Sequence, residues 1–184
     1  MSNSHQENGF GGENHIEYQN GIQSDFDVHT QLEFERDIAM EDAYDAIDRN
    51  NVFDFISATQ YLNDTDMARL FAFVISEDNV EIAHYIWGET GFLPTREILL
   101  DNIIDEKYEV AAWAHHEGLI EYDIQDIYRA YHNGRNMDPA LWILIDGGVE
   151  SRPDFMERLR MYAPSLNGYG PEFYDWVMDN LRGG

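Results

Sequence analysis

Three segments of the sequence decide the fold: Glu81-Ile-Ala-His-Tyr85, Glu109-Val-Ala-Ala-Trp113 and Asp138-Pro-Ala-Leu-Trp142. All three carry an acid, an alanine and an aromatic residue at alternate positions, and they follow one another at offsets of 28 and 29 residues. Each comes after a stretch whose apolar residues recur every three or four positions, as on one face of an α-helix. Sequence periods of about 20 to 50 residues are typical of repeat proteins, whose units bury their apolar faces against one another. The pattern therefore predicts an all-α stack of helix pairs.

Five helix pairs are predicted along the chain. A capping box over Ser151–Asp154 and the acid Asp123 mark the starts of two helices, and Gly88 and Gly118 mark the ends of two others. No segment alternates apolar and polar residues for long enough to predict a sheet. The predicted pairs are Ile38–Asp48 with Val52–Thr59, Asp66–Ser76 with Val80–Trp87, Arg96–Glu106 with Glu109–His116, Ile124–His132 with Asp138–Ile145, and Pro153–Met161 with Pro171–Leu181.

The stretch from Leu99 to Ile120, LLDNIIDEKYEVAAWAHHEGLI, carries a family resemblance. It has a first helix, a short turn, an acid before the second helix and a final glycine followed by an apolar residue, and it resembles the ankyrin repeat in its degenerate viral and intracellular bacterial form. The resemblance covers about residues 40 to 165 and implies an ankyrin-like helical repeat solenoid of about five pairs. The Thr-Pro-Leu-His opening is missing and the step is below the family's period of about 33 residues, so β-fingers are expected to be short or absent. A generic helical repeat and a compact helical bundle are the alternatives.

The chain is strongly acidic. Its 184 residues hold 36 Asp and Glu against 11 Lys and Arg, a formal net charge of −25. An apolar content of 43% is too high for a disordered acidic chain, so a packed core is expected. The negative field repels phosphate, which disfavours direct binding of nucleic acid or anionic lipid and favours a protein partner with a basic surface.

The acidic residues divide the chain into two predicted parts. Residues 1–37 hold eight acids and one base, Arg36, among Asn, Gln, Gly and Ser, and are predicted to be a flexible acidic leader. Residues 38–184 are predicted to be the repeat domain. The longest apolar run, Leu70 to Ile75, is too short to span a membrane, and no secretory signal is recognisable. We therefore expect a cytoplasmic protein, in the host-cell cytoplasm if it is viral.

Acids cluster at the turns between the helices of the first three predicted pairs. Because packed helices lie about 8 to 10 Å apart, these clusters are expected to form a column along one edge of the stack. Such a column could imitate the charged edge of DNA, which carries one negative charge per about 1.7 Å of axis. The alternative is that the acids only offset helix dipoles and keep the protein in solution. The predicted partner-binding residues are Asp45, Asp48, Glu77, Asp78, Glu81, Asp105, Glu106 and Glu109.

The sequence favours a binding protein over an enzyme. It has no cysteine, no phosphate-binding loop and no recognisable catalytic motif. The adjacent His115 and His116 point about 100° apart on a helix and are a poor metal site, so no metal or cofactor is predicted. An enzyme with an unrecognised carboxylate or histidine site is the least favoured hypothesis.

Two binding functions fit the sequence. The first is an inhibitor that occupies the nucleic-acid-binding surface of an enzyme or complex by mimicking phosphates, as a phage or viral counter-defence protein of the anti-restriction or anti-CRISPR type would. The second is a general ankyrin-type interaction scaffold or adaptor, whose specificity lies on its concave face and in its Tyr- and Trp-bearing loops. The sequence leaves the oligomeric state and the identity of the partner open.

Overall fold

The computed structural model describes residues 17–166 and 168–182, with side chains from residue 28 onward. This part of the chain forms ten α-helices and a short 3-10 turn at Ala163–Ser165, and it contains no β-strand. The all-α prediction is therefore confirmed. The helices are α1 (Glu17–Asp48), α2 (Val52–Thr59), α3 (Asp64–Ser76), α4 (Val80–Thr90), α5 (Arg96–Ile104), α6 (Glu109–His116), α7 (Ile124–Asn133), α8 (Asp138–Ile145), α9 (Phe155–Tyr162) and α10 (Gly170–Arg182).

The helices pack as consecutive pairs that lie side by side. Within the pairs, α1 packs on α2, α3 on α4, α5 on α6 and α7 on α8. Between the pairs, the first helices α1, α3, α5, α7 and α9 contact one another in that order, and so do α2, α4 and α6. The alanine shared by the three repeated segments is fully buried in each, at Ala83, Ala111 and Ala140. A side chain this small lets neighbouring helices approach closely.

The turn that joins the two helices of a pair is built in the same way three times. Asn50, Asp78 and Glu106 occupy the left-handed region with φ of 51°, 59° and 64°, and they are spaced 28 residues apart. In each turn the next residue donates its backbone N–H to a carbonyl five residues earlier, at 2.8, 3.1 and 2.9 Å. This hydrogen bond satisfies a carbonyl that the helix end leaves without a partner. The predicted acids Asp78 and Glu106 therefore lie at equivalent backbone positions of the second and third turns, whereas Asp45 and Asp48 precede the first turn, where asparagine holds that position.

Polar contacts link each pair to the next. The buried Asn79 side chain donates to the Ile47 carbonyl, and the buried Asn102 side chain donates to the Ile75 carbonyl. Arg36 donates to both carboxylate oxygens of Asp66, 30 residues away. The same fork joins Arg96 to Asp126, also 30 residues away. Both aspartates complete capping boxes, at the starts of α3 and α7.

The predicted boundary of the flexible leader at residue 37 falls inside α1. Residues 17–37 are helical and continuous with the predicted helix that begins at Ile38. The forked ion pair between Arg36 and Asp66 fastens this segment to α3. Once the packed part of α1 exists, extending it requires no new helix nucleus, so a polar composition is compatible with a helix here. Residues 1–16 of the predicted leader lie outside the described residues.

Several predicted helix boundaries were wrong by one to three residues, among them the end of α4 and the start of α9. Helix α4 continues through Gly88 and ends at Thr90, where Gly91 takes the left-handed conformation with φ of 70°. Helix α9 begins only at Phe155, and the Ser151 hydroxyl donates to the Gly148 carbonyl instead of capping the helix. Among the described residues, no helix has the length and apolar character needed to cross a membrane.

Candidate functional site

Five of the eight acids predicted to bind a partner line a single open groove of about 620 Å³. The groove runs along the turns of the first three helix pairs, and its other lining residues are apolar or asparagine. None of its lining side chains is basic. We call this surface the acidic groove. Its five acids are Asp48, Glu77, Asp78, Glu81 and Glu109.

Asp78 differs from the other four acids because its carboxylate is already engaged. Its two oxygens accept hydrogen bonds from the backbone N–H groups of Glu109 and Val110, at 3.0 and 2.7 Å. Tyr108, which precedes α6, makes no capping hydrogen bond of its own. Asp78 therefore caps α6 from the preceding helix pair, and its main role is to join the two pairs.

The remaining four carboxylates of the acidic groove are free to bind a partner. Asp48, Glu77, Glu81 and Glu109 are exposed, and within the described part of the chain their side chains form no ion pair and no hydrogen bond. Like charges that face one groove without a cation repel one another. A bound Lys or Arg side chain would relieve this repulsion and would gain charge-assisted hydrogen bonds.

The other three predicted acids lie outside the acidic groove. Asp45 is exposed on α1, Asp105 is exposed at the end of α5, and the Glu106 carboxylate accepts a hydrogen bond from the Asn136 side chain at 2.9 Å. Lys107, the only lysine in the chain, also lies at this edge. Its ammonium donates to the Ser76 carbonyl at 2.6 Å, at the negative end of α3. The predicted column is therefore concentrated in the first three turns and ends near Glu106.

The histidines considered for catalysis have structural surroundings. The half-buried His115 places Nδ1 3.3 Å from the Ile120 carbonyl oxygen, and its ring packs 5.9 Å from the ring of the buried Tyr122. His116 is exposed at the end of α6. Among the described residues, no group of three or more histidine and acidic side chains is placed to hold a metal ion.

A second concave surface was missed by sequence reasoning. It is an open groove of about 600 Å³ between α1 and α2, and its apolar lining is formed by Ile38, Ala39, Ala58 and Tyr61. It was missed because residues 17–37, which are 21 of the 32 residues of α1, were assigned to a flexible leader.

No protein-family model, curated protein or solved structure matches this chain significantly.

Proposed function

We propose that this chain is a non-enzymatic inhibitor that binds the basic, nucleic-acid-binding surface of an enzyme or complex through its acidic groove. The observation that carries the proposal is the set of four unpaired carboxylates, Asp48, Glu77, Glu81 and Glu109, in one groove that no basic side chain lines. An Arg- or Lys-rich surface that normally holds phosphates supplies the cations that this groove lacks.

The spacing of the charges supports mimicry of one nucleic-acid strand. When all eight predicted acids are counted, including the three outside the acidic groove, two or three acids lie at each of the first three turns, and packed helices step by about 8 to 10 Å. One strand of DNA carries a charge every 3.4 Å or so, which is about two to three charges over the same distance. The whole acidic edge thus resembles a single strand in charge density, whereas the four free carboxylates of the acidic groove reach about half of that density.

The arrangement of the helix pairs is the second part of the proposal. We infer an ankyrin-like solenoid, supported by pairs that pack side by side and by hydrogen bonds that join residues 27 to 32 positions apart. A phage or viral counter-defence role, exerted in the cytoplasm of the host cell, is the setting that best fits a small acidic inhibitor of this kind. An experimental structure compared with ankyrin repeats tests the arrangement.

The experiment for the inhibitor compares two variants with the same change of charge. The first carries Asp48→Asn, Glu77→Gln, Glu81→Gln and Glu109→Gln in the acidic groove. The control replaces four exposed acids that lie in α9 and α10 or just before α9. Its substitutions are Glu150→Gln, Asp154→Asn, Glu157→Gln and Glu172→Gln. Cleavage assays with purified restriction and CRISPR-type nucleases measure inhibition by the wild-type protein and both variants.

We expect the wild-type protein to inhibit at least one of these nucleases in competition with its DNA. The groove variant should lose at least tenfold in potency, whereas the control should stay within about threefold of wild type, because only position and not total charge differs. Equal losses for both variants, or full potency of the groove variant, would contradict the mimicry.

A general interaction scaffold is the alternative function. It is favoured by an aromatic cluster on α4 and α6, where the rings of Trp87 and Trp113 lie 5.8 Å apart and His84 packs on both. Salt separates the two functions. Binding through the acidic groove should weaken steeply as ionic strength rises, whereas binding through an aromatic surface should hardly change.

A further inference from the structure

The first helix pair has one uncovered side. Helices α1 and α2 pack against α3 and α4 on one side, and within residues 17–166 and 168–182 no helix pair covers the other side. That side holds the groove of about 600 Å³ between α1 and α2, which we call the end groove. None of the residues that line it lines the acidic groove.

Three large apolar side chains are exposed in or beside the end groove, whose other lining residues include acids. Phe53 is 83% exposed, Tyr61 is 62% exposed and Ile38 is 44% exposed. Tyr61 and Ile38 line the groove, and Phe53 lies one helical turn before its lining residue Ser57. Terminal repeats of a helical array normally present a polar outer face, because nothing covers them. The apolar side chains here therefore indicate a surface that a partner covers.

The length of α1 gives the surface its shape. With 32 residues α1 is about 48 Å long, whereas α2 with 8 residues is only about 12 Å long. Val28, Leu32, Glu35, Ala39 and Asp42 follow one another along α1 at alternating steps of four and three residues, so they share one helix face. Glu35, Ala39 and Asp42 line the end groove, and Val28 and Leu32 continue the same face beyond it. A second helix laid along α1 would find a continuous seam.

The charges around the end groove indicate what the occupant must carry. Glu35, Asp42 and Asp54 line it, and the one basic lining residue, Arg49, is paired with Asp54 at 3.2 Å. The rim is therefore negative, and a helix that covers it needs cations beside its apolar face. A second copy of this chain is a poor occupant, because two molecules of charge −25 would bring the same acids together.

We propose that the end groove binds a basic amphipathic helix of a partner protein. Its apolar residues, spaced by three and four positions, pack against Ile38, Tyr61 and Phe53, and its Lys or Arg side chains pair with Glu35 and Asp42. This mode of recognition places an amphipathic helix in a groove through anchors at helical spacing. The binding surface is separate from the acidic groove and does not depend on the proposed inhibitory function.

The test uses an 18-residue fluorescein-labelled peptide of leucine and lysine, with the leucines at helical spacing, and a scrambled peptide of the same composition. Fluorescence anisotropy at 150 mM salt measures their binding to the full-length chain. The variant Phe53→Ser with Tyr61→Ser removes the apolar contacts. Its matched control is Leu93→Ser with Met161→Ser, two residues that are similarly exposed, at 60% and 73%, elsewhere on the molecule.

We expect the helical peptide to bind at least tenfold more tightly than the scrambled one. Phe53→Ser with Tyr61→Ser should abolish this preference, and the control variant should retain it within about twofold. The variant Glu35→Gln with Asp42→Asn, which leaves the apolar residues in place, should weaken binding at least threefold at low salt. Circular dichroism confirms that each variant is folded.

Three results would overturn the proposal: equal affinity for both peptides, equal losses in the apolar variant and its control, or a dimer that Phe53→Ser with Tyr61→Ser dissociates in sedimentation equilibrium. The last result would mean that a second copy covers the end groove. The four-residue variant of the acidic groove should still bind the helical peptide. Loss of binding in that variant would also contradict the proposal, whereas loss of its nuclease inhibition bears only on the proposed function.

Discussion

The carboxylate of Asp66 shows how single residues fasten one helix pair to the next. Its side chain is only 1% exposed and accepts hydrogen bonds from the Arg36 guanidinium at 2.6 and 2.5 Å. It also accepts one from the backbone N–H of Asn63, the N-cap residue of α3. The hydrogen bond from Arg36 lowers the pKa of Asp66 below its ordinary value. A carboxylate with a lowered pKa stabilises the fold above its unfolded-state pKa of about 3.9, and this contribution is lost as the pH falls through the folded-state pKa.

We therefore predict that Asp66→Asn lowers the free energy of unfolding at pH 7 by about 1 to 2 kcal/mol, because charge-assisted hydrogen bonds to a buried group are lost. The difference from wild type should shrink below about pH 4, where the wild-type carboxylate also loses its charge. Urea unfolding followed by circular dichroism at several pH values measures both effects.

The control for this prediction is Asp101→Asn. Asp101 pairs with Arg129. The two arginines, Arg129 and Arg36, are equally exposed at 39%, but the Asp101 side chain is 65% exposed and that of Asp66 only 1%. Exposed ion pairs contribute little, so we expect a loss of less than about 0.5 kcal/mol with no clear dependence on pH. A loss as large as that of Asp66→Asn would mean that burial of the carboxylate is not what makes the Asp66 pair stabilising.

At the scale of helices and turns, much of the fold could be predicted because the signals that decide it are local. Helices α2, α6 and α8 begin and end at the predicted residues, since apolar periodicity and turn residues lie within each segment. The end of α4 could not be predicted in this way. Both Gly88 and Gly91 are suitable stop residues, and only Gly91 takes the left-handed conformation in the structure.

The candidate site could be predicted only in part, because one of its contacts joins residues far apart in the sequence. The repeat period indicated that acids at successive turns lie along one edge, and five of the eight do line one groove. The capping role of Asp78 depends on Glu109 and Val110, 31 and 32 residues later in the chain. No local pattern reveals such a contact. The extension of α1 before residue 38 was missed because its composition is polar. The ion pair that fastens it joins Arg36 to Asp66, 30 residues away, and no local pattern indicates it.

The turns between paired helices offer a prediction at this scale. Glu106 occupies the left-handed region, where asparagine is favoured over residues with longer side chains. We expect Glu106→Asn to raise the free energy of unfolding by about 0.5 kcal/mol, net of the exposed hydrogen bond to Asn136. This corresponds to an increase in Tm of about 1 to 2 °C in thermal denaturation.

The neighbouring substitution Asp105→Asn is the control for Glu106→Asn. It removes the same charge and introduces the same residue, but Asp105 has an ordinary φ of −87°. Its effect on Tm should therefore be smaller. If both variants are stabilised equally, relief of charge repulsion and not backbone conformation explains the gain.

At the scale of the whole molecule, the net charge of −25 acts on folding and on binding through the same field. Six arginines form ion pairs among the described residues, which leaves many exposed acids without a cationic neighbour. Self-repulsion of this kind destabilises a compact chain, and dissolved salt screens it. The same screening weakens the attraction between the acidic groove and a basic partner.

We predict that raising NaCl from 10 to 150 mM increases Tm while it weakens binding to a nuclease through the acidic groove. Over this range the Debye length falls from about 30 to 8 Å, so repulsion between distant acids is lost first. The four-residue variant of the acidic groove carries less charge and should show a smaller rise in Tm with salt. Differential scanning calorimetry and binding titrations at matched salt concentrations measure the two effects. A Tm that falls with salt would mean that the ion pairs between helices outweigh the repulsion among the acids. The excess of acids would then not destabilise the fold, and a basic partner would have no repulsion to relieve.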